Sequence, residues 1–263
     1  MTTQADFDAF VEAQGGVRSL ALRDLKAWWT TVEHLSPSQI QSAAAEFAPI
    51  LAGVYGEVSA TVAADYYDLA RELAPKARGR FVASLAPSEA AARTSRQVGW
   101  ATAPLFEGDS LGALDRLSGV VDAASLQDGR NTLMRNSGMD PAKPRYARIP
   151  VGKTCAWCLM LASRGAVYRS AATAGAAQEY HKRCDCEPHP SWDHGKDLPP
   201  SYDEGGLYDL YDRAKKEAGG SGDPKDITAA IRRLDEGGLV SDGVGKRAAP
   251  RPSARRQRRT QTP

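Results

Sequence analysis

Cysteine and histidine are scarce in this sequence, four of each in 263 residues, and all four cysteines fall between Cys155 and Cys186. The opening MTTQADFDAF has neither the basic start nor the apolar run of a signal peptide. No stretch approaches the roughly 18–20 consecutive apolar residues that a membrane-spanning helix needs. These absences predict a chain kept in a reducing cytosol, where a disulfide framework would not persist. No repeat of fixed period is visible, and no strand-like alternation precedes Asn136. Acidic residues are missing from Lys246 onward, a stretch that carries Lys246, Arg247, Arg251, Arg255, Arg256, Arg258 and Arg259. Setting those seven aside leaves 27 basic residues against 32 acidic ones, a body of about −5 under an overall charge of +2. A basic arm on a mildly acidic body suits contact with a polyanion, nucleic acid being the commonest.

What is present first is helix. In LRDLKAWWTTVEHL, the residues Leu22, Leu25, Trp28, Trp29, Val32 and Leu35 recur at three- and four-residue steps, the spacing of one helical face. Ser36 is placed as an N-cap with Pro37 in the first turn of the next helix. Val54, Val58, Val62, Tyr66, Leu69 and Leu73 then form a stripe ended by Pro75, which is expected to pack in the core, as is the Trp28–Trp29 pair. PSEAAARTSRQVGWATAPLF and SLGALDRLSGVVDAASLQDGRNTLMRNS add Ala-rich helical segments.

Composition changes near Gly138, with proline, glycine and basic residues becoming frequent. Tyr146–Ile149 reads as a short strand, LMLASRGAVYRS as a short helix stopped by Gly165, and Val167–Tyr168 as a further extended piece. AATAGAAQEY is one more helical turn or a loop. The chain after HKRCDCEPHPSWD reads as a loop, followed by helices in LYDLYDRAKKEA and PKDITAAIRRLDEGGLV. The fold class expected is mainly α (α+β). A helical N-terminal region covers 1–137, a small zinc-stabilised α+β domain 138–242, and a disordered basic tail 243–263.

The cysteines lie in two knots, CAWC at Cys155–Cys158 and HKRCDC at His181–Cys186. A thioredoxin-type redox pair wants a βαβ setting and leaves Cys184 and Cys186 unemployed. A cysteine nucleophile served by His181 or His189 is the second alternative. Metal binding employs both knots, because a C-x-x-C chelate and a second ligand pair 20–30 residues on can close a tetrahedron around zinc. The candidates are Cys155, Cys158, His181, Cys184 and Cys186. Three thiolates with one imidazole, or four thiolates, would complete the site and leave one candidate spare. Lys153, Arg164, Lys182 and Arg183 lie nearby in sequence and favour deprotonated thiolates. Catalytic zinc would need an open position and a general base, and the His-x-Glu before Pro-Cys-x-x-Cys order of nucleobase deaminases is not found.

The run RYARIPVGKTCAWCLMLASRGAVYRS, followed by YHKRCDCEPHPSW, resembles the Mu F-like minor head proteins of tailed bacteriophages, in the form common among phages of actinobacteria. The matching positions are Arg148, Pro150, Gly152, Cys155, Trp157, Cys158, Ser163, Arg164, Gly165, Tyr168, His181, Cys184, Cys186 and Trp192. The detailed likeness covers roughly residues 130–195. It implies a virion protein inside the phage head near the portal, passing through the host cytoplasm during assembly. Its partners would be portal or other capsid proteins, with packaged DNA contacted through the basic tail, and no reaction of its own is implied. Two alternatives belong to other classes. One is a zinc-ribbon DNA-binding protein presenting Arg164, Lys182 and Arg183. The other is a zinc hydrolase or nuclease using His181, His189 or His194.

Overall fold

The computed structural model describes residues 2–169, 180, 184–235, 238 and 240. His181, Lys182, Arg183, most of AATAGAAQEY and the basic tail lie outside the described residues.

Helix α1 spans Gln4–Val32, opened by a capping box in which Thr3 accepts from the Asp6 N–H and the Asp6 carboxylate accepts from the Thr3 N–H. Helix α2 spans Pro37–Leu73 without interruption at Pro49, so the two segments read from the sequence are one helix. Its start has Ser36 and Pro37 in the expected places, the Ser36 N–H donating to Gln39 Oε1 at 3.1 Å. Helix α3 (Ala90–Thr102) runs into a short 3-10 turn, and helix α4 covers Ser110–Met139, continuing through Gly138. Strand β1 (Arg145–Ile149) then leads to helix α5 (Ala156–Ala162). Strand β2 (Glu187–Ser191) pairs antiparallel with β1, Arg145 opposite Ser191 and Ile149 opposite Glu187. Helices α6 (Glu204–Glu217) and α7 (Pro224–Leu234) follow. The mainly α fold with a two-stranded sheet is the class expected.

The expected core stripe of α2 is corrected. Tyr66 is buried, but Val54, Val58 and Leu69 are exposed, with Ile50 on the same side at 67%. The buried face of α2 is built from small residues instead, among them Ala44, Ala48, Ala52, Gly56, Ala60, Ala63 and Ala70. The reason is the closeness of α4. A Cβ on Gly56 would stand 2.6 Å from Asp128 Oδ2, and one on Gly129 would stand 2.4 Å from Ser59 Oγ. Large apolar residues do not fit such a crossing, so the bulkier valines turn outward. The tryptophans follow expectation: Trp29 is 2% exposed, and Trp28 stacks on Phe47 with centroids 4.7 Å apart.

Between α2 and α3 an extended strap lies over α4. The Ser84 N–H donates to Asn136 Oδ1 at 3.0 Å, the Ala86 N–H to Thr132 Oγ1 at 3.1 Å, and the Glu89 N–H to Asp128 Oδ1 at 3.1 Å. These acceptors stand four residues apart on one face of α4, a polar ladder that takes the place of a partner strand.

Strand β2 went unread because Pro188 and Pro190 sit inside it. Proline removes ladder donors, and it is tolerated here because β2 pairs with β1 on one side only. The Val167–Tyr168 piece is present as a bridge, Tyr146 to Tyr168.

Candidate metal centre

The first knot is set by the start of α5. Cys155 is its N-cap, in extended conformation, and its sulfur accepts from the Cys158 N–H at 3.2 Å. This brings both side chains of the C-x-x-C segment to one end of the helix. The second knot enters β2 directly: Cys184 and Cys186 precede Glu187 with the alternation of extended chain, and Asp185 between them faces outward to Arg18.

The four cysteines form their own buried cluster, exposed by 3% or less, and all four are free thiols. The sulfurs of Cys158, Cys184 and Cys186 lie within 4.8 Å of one another, with Cys158 Sγ 3.4 Å from Cys184 Sγ. Four sulfurs at about 2.3 Å from a tetrahedral zinc stand roughly 3.8 Å apart, so this spacing fits a metal-thiolate group. Three buried cysteines thus offer a donor set able to hold a metal ion. Thr154 Oγ1 lies 3.0 Å from Cys186 Sγ and shares a hydrogen bond with it.

The thiols are strongly unequal. Hydrogen bonds from Cys158 and Cys186, helped by the nearby Arg130 and Arg148 charges, hold Cys184 far below the usual thiol range. Hydrogen bonding to Cys155, Cys184 and Cys186, then burial, pushes Cys158 far up, and burial pushes Cys186 up. A metal cation bound by these sulfurs would take the place of their protons.

Among the described residues, the charges that face the sulfurs are those of Arg130 and Arg148. Lys153 and Arg164 are exposed. Arg148 on β1 instead brings its guanidinium within 4.0 Å of Cys184 Sγ, and Arg130 on α4 donates to the Cys184 carbonyl at 2.6 Å. Both guanidiniums lie over the ring of Tyr180, at 3.6 and 4.3 Å from its centroid. Arg130 also pairs with Glu187 at 3.0 Å, fully buried. Burial works against the charge on Arg130, but Glu187 and Cys184 outweigh it. Burial likewise raises Glu187, with Arg130 opposing. Arg18 on α1 completes the surround, bridging Asp122 and Asp185 at 2.7 Å each. Nothing in the sequence links Arg18 or Arg130 to cysteines more than 50 residues away, and the contact exists because α1 and α4 pack against this segment.

The other histidines stand apart from the sulfurs. His189 on β2 is completely buried, its Nδ1 2.7 Å from Tyr66 Oη and its ring edge-on to Phe7. Burial lowers its pKa to about 4. His194 is exposed in the turn after β2. Among the described residues, no further set of His, Cys, Asp or Glu side chains gathers its ligand atoms this closely.

Residues 1–214 match the family model described as VG15 protein, most of the chain and both described cysteine segments. No curated protein and no solved structure matches the chain. The chain belongs to the VG15 protein family, a family of phage proteins.

Proposed function

We propose that this protein is a minor capsid component of a phage head, near the portal, with a structural zinc ion and no enzymatic activity of its own. The observation that carries the reading is the closed sulfur cluster in a chain of a phage family. Sulfurs exposed by 3% or less leave no approach for a substrate, which suits a closed structural site over a catalytic one. Zinc is the ion best matched to a buried thiolate set, and Cys155, whose sulfur already accepts from the Cys158 N–H, is the proposed fourth ligand. Arg130 and Arg148 would then offset the two negative charges of a four-thiolate zinc. The Mu F-like resemblance supports the head location and a portal partner, and the Arg-rich tail supports contact with packaged DNA.

Elemental mass spectrometry of the reduced full-length protein is expected to give about one zinc per chain. Most thiols should react only after chelation. Cys155→Ser and Cys184→Ser should lose the metal, whereas His181→Ala should keep it. Zinc retained by Cys155→Ser and lost by His181→Ala would replace the four-thiolate set with three thiolates and an imidazole. Detection of the protein in purified, nuclease-treated heads tests the location separately. Its absence from heads would overturn the capsid reading whatever the metal content.

A further inference from the structure

Four exposed large apolar residues lie on one helix, α2: Ile50, Val54, Val58 and Leu69. Ile50, Val54 and Val58 are 67%, 55% and 44% exposed, and they stand four residues apart. That spacing makes them one ridge about 12 Å long, roughly two helical turns. Val62, partly buried, continues the same row. The close crossing of α2 and α4 explains why these side chains are outside, but not why they are apolar. Other exposed positions of α2 carry polar groups, among them Ser38, Gln39, Ser42 and Thr61. Single exposed apolar residues are ordinary, whereas a contiguous ridge marks an interaction surface.

The charges beside the ridge have one sign. Glu46 begins its row, Glu57 and Asp65 lie in the adjacent row, and Glu72 stands further along. All four are exposed, and among the described residues no ion pair engages them. The single basic residue of α2, Arg71, is turned to Asp140. On the neighbouring helices Arg23 pairs with Asp24 and Arg93 with Glu89.

This combination selects among occupants. A second copy docked through the same face would set these carboxylates against their own counterparts, since a two-fold contact uses one patch twice. The basic tail has the matching charge, but from Lys246 onward it has no Leu, Ile, Val, Met or aromatic residue to meet the ridge. Helices that lie on membranes carry Lys and Arg on the polar face, the opposite sign.

We propose that the outward face of α2 binds a basic amphipathic helix of another protein, with large apolar side chains at three- and four-residue steps between Lys and Arg. The Ile50–Val54–Val58 ridge would fill the groove between its apolar rows, and Glu46, Glu57 and Asp65 would face its cations. The proposal does not depend on the head-protein reading.

The test uses the full chain and a labelled helical peptide of about five turns, with leucines on one face and lysines on the other. A sibling peptide keeps the leucines and replaces each lysine by glutamate. By fluorescence anisotropy, wild type is expected to bind the lysine peptide, more weakly as salt rises, and not the glutamate peptide. Ile50→Ser/Val54→Ser should bind the lysine peptide at least about tenfold more weakly, roughly the loss of one good apolar anchor. Both positions are exposed, so its melting temperature should stay close to that of wild type. Glu57→Lys/Asp65→Lys keeps the ridge and should reverse the preference, weakening the lysine peptide and admitting the glutamate one. No binding of the lysine peptide by wild type, or equal binding by wild type and both variants, would overturn the proposal. So would a much lower melting temperature for Ile50→Ser/Val54→Ser, since the ridge would then serve the fold. A wild-type dimer in sedimentation that this variant dissolves would assign the face to a second copy instead. Binding to phosphatidylcholine vesicles that the same variant loses would assign it to lipid, and either result also overturns the proposal.

Discussion

His189 is a neutral group that acid should turn against the fold. Its folded pKa is about 4 against an ordinary 6.5, because burial penalises the imidazolium. Between those values the unfolded chain binds the proton and the folded chain does not, so stability falls as pH drops through this window. The full difference is about 3 kcal/mol. Urea unfolding at pH 7 and at pH 4.5 should therefore show a steeper loss in wild type than in His189→Gln. Equal losses would mean that the folded protein accommodates the charged ring. The histidine's partner, Tyr66, lies 123 residues earlier on another helix. In the sequence His189 was one of several candidates around a cysteine knot, and its burial depends on α1 and α2, about which the neighbouring residues carry no information.

At the level of elements, the decisive contact is the crossing of α2 and α4, and its tolerance is specific to position. In Gly56→Ala the new methyl would meet Asp128, which is already committed to Ser88 and to the Glu89 N–H. A loss of roughly 1–3 kcal/mol is expected in chemical denaturation. Gly16→Ala on α1 meets nothing within 4 Å and should instead stabilise by up to about 1 kcal/mol. The polar ladder gives a second test. Asn136→Ala leaves the Ser84 N–H and carbonyl without their partner, at a cost of about 1–3 kcal/mol, with faster hydrogen exchange at Ser84 and unchanged metal content. Unchanged exchange there would mean that the strap is held by its side chains. Helix positions and caps were largely readable because they depend on local spacing, as with Ser36 before Pro37. The outward turn of Val54 and Val58 was not readable, because alanine and glycine on the opposite face define a closer packing surface than the valines do. Strand β2 was obscured by its two prolines.

Taken as a whole, the molecule gathers its sulfurs where segments from both halves of the chain meet. Arg18 from α1, Arg130 from α4 and Arg148 from β1 all converge on Cys184 or its neighbours. Removing a metal from this centre should then loosen more than the knots themselves. Chelation under reducing conditions is expected to lower the melting temperature by at least several degrees and to speed hydrogen exchange in β1, β2 and α5. Exchange in α3, which packs chiefly on α2 and α4, should change least. An unaltered melting curve after complete metal removal would show that sulfur packing alone holds the region. The two knots were legible as a pair, because they account for every cysteine in the chain. Of the counter-charges expected from proximity in sequence, Lys153 and Arg164 are exposed and Lys182 and Arg183 lie outside the described residues, while packing supplied Arg130 and Arg148.

The docking of α1 also bears on the order in which the protein is made. Phe7 meets His189 and the Gln4 side chain accepts from the Ser201 N–H, so the first helix finds these partners nearly 200 residues later. At about 5–20 residues per second, α1 waits on the order of ten seconds or more on the ribosome before those partners emerge. Throughout that interval Phe7 and Phe10 lack part of their final cover. A nascent chain stalled before residue 189 should consequently be a better chaperone substrate than one released at full length.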